Sequence, residues 1–227
     1  MSTMEGLLRS NISVLIAFKG VNPINWSDFT EDLKDFEYST FGQGAAFTNN
    51  GNQTPAYIAS TDEFQWLYTP SKKHLVLRGS NQKKTVDHFR ELLPLVKKQF
   101  KGPKWKKNFR FFEIHTVNEI EPERMTPMEI MKRIAPETSL DHFEGAFGDR
   151  KPVMYAFRLS SWDGEIPSSL RDSIPWYEMS FQPMIDNTDR VICEIVSRNP
   201  DLDDAEAMAI KLSDSINSFI ERYDTGD

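Results

Sequence analysis

Cys193 is the only cysteine among 227 residues, so no intramolecular disulfide can form. A chain without such cross-links fits a reducing, cytoplasmic setting. Also missing is any apolar run near the ~18 residues needed to cross a bilayer, which argues against a membrane partner. The longest early run, Ile12–Phe18 (ISVLIAF), follows Glu5 and Arg9 and precedes Lys19. It lacks a small-residue cleavage site and is predicted to be a strand rather than a signal peptide. A phosphate-binding loop requires glycines at a strand-to-helix turn, whereas Gly42-Gln43-Gly44 leads into strand-like sequence. The four histidines (His74, His88, His115, His142) form no HExxH pattern. With one cysteine beside them, no metal site and no cofactor are expected.

What the chain does have is a divided charge. The net charge is -7, yet residues 71–110 hold thirteen Lys or Arg against Asp87 and Glu91, a local balance of +11. Residues 186–227 carry eleven acidic and four basic residues. Segregation of this kind bears on partners rather than on fold.

Two similar halves are legible. In the first, Ile12, Val14, Ile16 and Phe18 alternate as one strand face, and Trp26, Phe29, Leu33 and Phe36 then fall at helical spacing. Asn50-Gly51 marks a hairpin, since both positions tolerate positive φ. Phe64, Trp66 and Tyr68 share a face of the next strand, and a strand over His74–Arg78 follows. A long helix over roughly 82–101 has Val86, Phe89, Leu93, Val96 and Phe100 along one stripe, with Pro94 predicted to kink it.

The second half begins with a buried strand at Asn108–Val117. Thr126-Pro127-Met128-Glu129 is a capped helix start. A short helix at 140–147, strands at 153–159, 176–184 and 190–196, and a last helix at 203–223 complete it. The fold class implied is α+β: a curved antiparallel sheet with long helices packed on one face. Two β-α-β(3-4)-α halves, residues 1–103 and 104–227, related by duplication, would either share one continuous sheet in a single globular unit or face each other across a cleft.

Three functional classes follow. The leading expectation is a non-enzymatic binding or assembly protein that engages an anionic partner through residues 72–110. That partner is nucleic acid, an acidic protein surface or another copy of the chain. Its contact residues would be Lys72, Lys73, Arg78, Lys83, Lys84, Lys97, Lys98, Lys101, Lys104, Lys106, Lys107 and Arg110, with Trp105 as a stacking surface for a base. Lysine outnumbers arginine there, which suits charge neutralisation better than bidentate recognition.

The second class is an enzyme with its cleft near Glu113 and His115. Two residues apart in a strand, these side chains point the same way and could serve as general acid and base. Phe109, Phe111 and Val117 are expected on that face too. The third is a small-molecule binder using the aromatic face of Phe64, Trp66 and Tyr68. Cys193 is expected to be a buried hydrophobe, and Asp201, Asp203 and Asp204 to cap the last helix.

Overall fold

The computed structural model describes residues 7–20, 23–47, 51–100, 105–122, 124–134, 156–161, 170–204, 207–208 and 211. The helix expected at 140–147 and most of that at 203–223 lie outside the described residues. The class is α+β, dominated by one open antiparallel sheet of nine strands. In chain order they are β1 (Leu7–Phe18), β2 (Thr40–Phe47), β3 (Gln53–Ser60), β4 (Phe64–Thr69), β5 (His74–Gly79), β6 (Phe109–Ile120), β7 (Phe157–Ser160), β8 (Trp176–Pro183) and β9 (Val191–Asn199). Across the sheet they run β2-β3-β4-β5-β1-β6-β9-β8-β7. No helix among the described residues is long and apolar enough to cross a membrane.

β1 and β6, with 12 residues each, lie side by side at the middle of this order. Their register sets Ile12 opposite Thr116, Val14 opposite Ile114 and Ile16 opposite Phe112. All six are buried. Because side chains alternate along a strand, one register commits every neighbour to a face. Leu75 and Leu77 of β5, Trp66 and Tyr68 of β4, and Cys193 and Ile195 of β9 join the same buried layer. The opposite face carries Ser13, Leu15, Arg78, Glu113, His115, Glu194 and Arg198.

The helices are α1 (Trp26–Leu33), α2 (Gln82–Gln99), α3 (Trp105–Asn108) and α4 (Pro127–Ile134). α1 buries Phe29 and Leu33, and the Phe29 ring meets Trp66 edge-on at 5.5 Å. α2 starts where the Asn81 side chain accepts a hydrogen bond from the Lys84 amide at 3.0 Å. Its buried stripe is broader than the sequence spacing predicts: Leu92 is fully buried and Leu93 only partly so. Each fully buried Phe or Leu of this kind is worth about 1.5–3 kcal/mol. Pro94 sits on the exposed side, and α2 continues through it to Gln99. α4 begins with the reciprocal bonds expected of Thr126 and Glu129. The Glu129 amide donates to the Thr126 hydroxyl at 3.3 Å, and the Thr126 amide donates to the Glu129 carboxylate at 2.7 Å.

One sheet residue has to be glycine for want of space. A Cβ on Gly79, the last residue of β5, would lie 2.0 Å from Thr85 Oγ1 of α2. Thr85 is fully buried, and its hydroxyl donates to the Asn81 carbonyl at 2.6 Å, so it cannot turn aside freely. Gly79→Ala should therefore destabilise by roughly 1–3 kcal/mol through overpacking, and Thr85→Ala in the same chain should restore part of that loss. Chemical denaturation of the two single variants and the double variant measures it. A neutral Gly79→Ala would contradict this account of how α2 sits against β5.

Candidate functional site

Among the described residues, the predicted contact residues of 72–110 divide between two ends of the sheet. Arg78 is at the end of β5, and Lys83 and Lys84 begin α2 beyond it. Lys97 and Lys98 end α2, about 20 Å along the helix from Lys83 and Lys84 at 1.5 Å per residue. At the Arg78 end, carboxylates are close: Lys83 pairs with Asp87 at 2.9 Å and Lys84 with Glu63 at 2.5 Å. Lys101 and Lys104 lie outside the described residues, and Trp105 and Lys106 belong to α3.

The other end is built where β1 finishes. The Phe18 amide donates to the Lys73 carbonyl at 3.1 Å, and the Lys19 amide donates to the Asn108 carbonyl at 2.8 Å. These two bonds tie the end of β1 to the turn before β5 on one side and the start of β6 on the other. Phe100, closing α2, packs its ring against Phe18 at 6.4 Å and Phe109 at 6.3 Å. Lys72, Lys73, Lys97, Lys98, Lys107 and Arg110 thus gather around one end of the sheet, together with Lys19.

Lys73 is held in an uncommon conformation. The single 3-10 turn Pro70–Lys72 ends on it with φ 57° and ψ 45°, and its amide donates to the Pro70 carbonyl at 3.1 Å. For a residue with a Cβ the left-handed region costs about 1–2 kcal/mol. The bonds on either side of its peptide keep Lys73 there.

Several of these cations are already neutralised. Lys97 pairs with Asp203 at 2.5 Å, Lys98 with Asp32 at 2.8 Å, and Arg110 with Asp172. Lys19, Lys72, Lys73 and Lys107 are exposed and make no ion pair among the described residues. Sequence reasoning omitted Lys19, which lies far from the others in the chain. Its signal was the end of the ISVLIAF run, one residue after the strand face closes.

Beside them, His74 starts β5. Burial holds its pKa below the ordinary value, and the cations Lys72, Arg110 and Arg198 add to that effect while Glu113 opposes it. His74 is therefore neutral near pH 7 and adds no charge there.

Glu113 and His115 do share one sheet face, as expected, but each is committed to a different partner. Arg198 donates to Glu113 at 2.6 and 2.9 Å, and also reaches Asp172 at 2.7 Å. Its guanidinium lies 3.9 Å over the Phe111 ring and 5.1 Å from that of Trp176. His115 Nε2 lies 2.7 Å from Glu194. Phe109 departs from the expected alternation. A register shift between Ala17 and Phe18 turns it to the core against Phe100.

The aromatic face of β4 is occupied by the protein itself. Trp66 and Tyr68 are buried, with Trp26 stacked on Tyr68 at 5.5 Å. Burial pushes the Tyr68 hydroxyl up to about 12. Phe64 stacks on His88 at 4.1 Å, and Tyr38 Oη lies 3.0 Å from His88 Nε2. Cys193 is buried as expected, and burial raises its thiol to about 12.

Two half-buried histidines, His74 and His88, thus have pKa values lowered mainly by burial. The unfolded chain binds their protons more readily, so their contribution to stability is present above about pH 6.5 and is lost as pH falls below it. Thermal unfolding between pH 8 and 5 should show a falling melting temperature, and His88→Gln should flatten that slope. Equal slopes in the two proteins would contradict the assignment.

Compared with known proteins, the chain matches no family model and shows no match to a curated protein.

Proposed function

We propose that the chain is a non-enzymatic binding protein that takes nucleic acid by its phosphates at the lysine-rich end of the sheet. The observation that carries this reading is the set Lys19, Lys72, Lys73 and Lys107: exposed, without a carboxylate among the described residues, and attached to strand ends that two backbone hydrogen bonds tie together. Ammonium groups on flexible stems neutralise phosphates without demanding a particular base, which fits sequence-tolerant contact.

A protein partner is less well served. Interfaces between proteins centre on buried apolar and aromatic side chains. The exposed large apolar residues of the described chain are Phe41, Phe47, Leu159, Leu170 and Ile185, and none belongs to these strand ends. His74 would couple binding to pH: phosphate nearby favours its charged form, so affinity should rise as pH falls toward 6.

The strand order also supports descent from a duplicated unit with helices on one sheet face. From the central pair, β1 is followed outward by β5, β4, β3 and β2, and β6 by β9, β8 and β7. Each half thus places its first strand at the centre, its last strand beside that, and the rest outward in reverse chain order.

Binding to a fluorescent duplex oligonucleotide across a salt series tests the reading. Replacing Lys72, Lys73 and Lys107 together with Ala should weaken binding at least tenfold. It should lower the slope of log K against log salt by about three, one for each phosphate that is no longer neutralised. Lys83→Ala with Lys84→Ala, at the opposite end, should leave both unchanged. Undiminished binding by the triple variant, or its equal loss in the Lys83/Lys84 variant, overturns the proposal.

A further inference from the structure

The sheet face opposite the helices carries a second feature, at the far end from the lysine cluster. Here a depression of about 580 Å³ opens over β4, β5, β1 and β6, within the range of sites for small organic molecules. Its floor is a row fixed by register: Gln65 pairs with Arg78, Arg78 with Ser13, and Ser13 with His115. Four neighbouring strands at about 4.8 Å spacing make this row about 14 Å long. Val117 supplies apolar lining, and Asp62 stands on the wall.

Arg78 differs from the other arginines of this face. Arg158 pairs with Glu178, Arg190 with Glu119 and Glu121, and Arg198 with Glu113 and Asp172. Arg78, although exposed, has no carboxylate partner among the described residues. Glu63, the nearest carboxylate in sequence to Asp62, is bound to Lys84 at 2.5 Å. His115 is bound to Glu194. Of the charged groups lining the depression, that leaves Arg78 and Asp62, opposite in sign and not paired with each other.

We infer that this depression binds a small zwitterion, an amino-acid-like molecule whose carboxylate lies on Arg78 and whose ammonium group faces Asp62. The guanidinium fork matches a carboxylate in two parallel hydrogen bonds. Ser13 and Gln65 flank Arg78 in the row and offer uncharged polar groups to the same carboxylate. An anion alone would meet Asp62 unfavourably, so a ligand bearing both charges uses the site as it stands. An aliphatic side chain on such a ligand would lie against Val117. This inference is independent of the nucleic-acid reading, since it uses no residue of the lysine cluster.

NMR titration with L-norleucine, and with hexanoate as the same chain lacking the amine, provides the test. Norleucine should shift the backbone amides of Ser13, Gln65 and Arg78 saturably, and hexanoate should bind at least several-fold more weakly. Arg78→Ala should weaken norleucine binding by roughly ten- to a hundredfold, the usual worth of hydrogen bonds to a charged group. Asp62→Asn should abolish the preference for norleucine over hexanoate. Both replaced side chains are exposed, and an unchanged melting temperature confirms that the variants fold. No saturable shift at these amides, undiminished binding in Arg78→Ala, or equal binding of the two probes to the native protein overturns the inference.

Discussion

The antiparallel pairing of β1 with β6 is the constraint on which the rest of the molecule depends. It joins the two halves of the chain through backbone hydrogen bonds along strands of 12 residues. A slip of one residue would carry Val14, Ile16, Phe112 and Ile114 to the face that now holds Ser13, Glu113 and His115. Both proposed sites inherit their geometry from this register. Lys19 meets Asn108 because β1 ends where β6 begins, and His115 completes the row with Arg78 because Ser13 stands between them.

Charge on this protein is largely settled internally. Lys97, Lys98 and Arg110 look in sequence like parts of a single basic surface, yet each finds a carboxylate from another part of the chain: Asp203, Asp32 and Asp172. Exposed pairs of this sort are worth at most about 1 kcal/mol each. Their larger consequence is to cancel local potential. The cations that stand out are those the fold leaves without a partner among the described residues.

Elements governed by local chemistry were legible in the sequence. Asn50-Gly51 announced the β2–β3 hairpin, the stripe from Val86 to Phe100 announced α2, and Thr126 with Glu129 announced α4. Alternation identified β1 and the facing of Cys193. What was not legible depends on distant pairing. The register shift beside Phe18 turns Phe109 inward, and no periodicity in β6 records it. Arg198 reaches Glu113 across 85 positions of sequence, a pairing that no local pattern records. In the sequence the lysines form one segment, whereas the length of α2 separates Lys83 and Lys84 from Lys97 and Lys98. Lys19 joins the cluster only because strand ends meet in space.

Chemical footprinting of lysines most directly tests the claim that the fold gathers free lysines into one nucleic-acid-binding end. Amine methylation read by mass spectrometry, with and without a saturating duplex oligonucleotide, reports each side chain separately. The account predicts that Lys19, Lys72, Lys73 and Lys107 become protected while Lys83 and Lys84 keep their reactivity. Protection centred on Lys83 and Lys84, or no lysine protected at all, would contradict it.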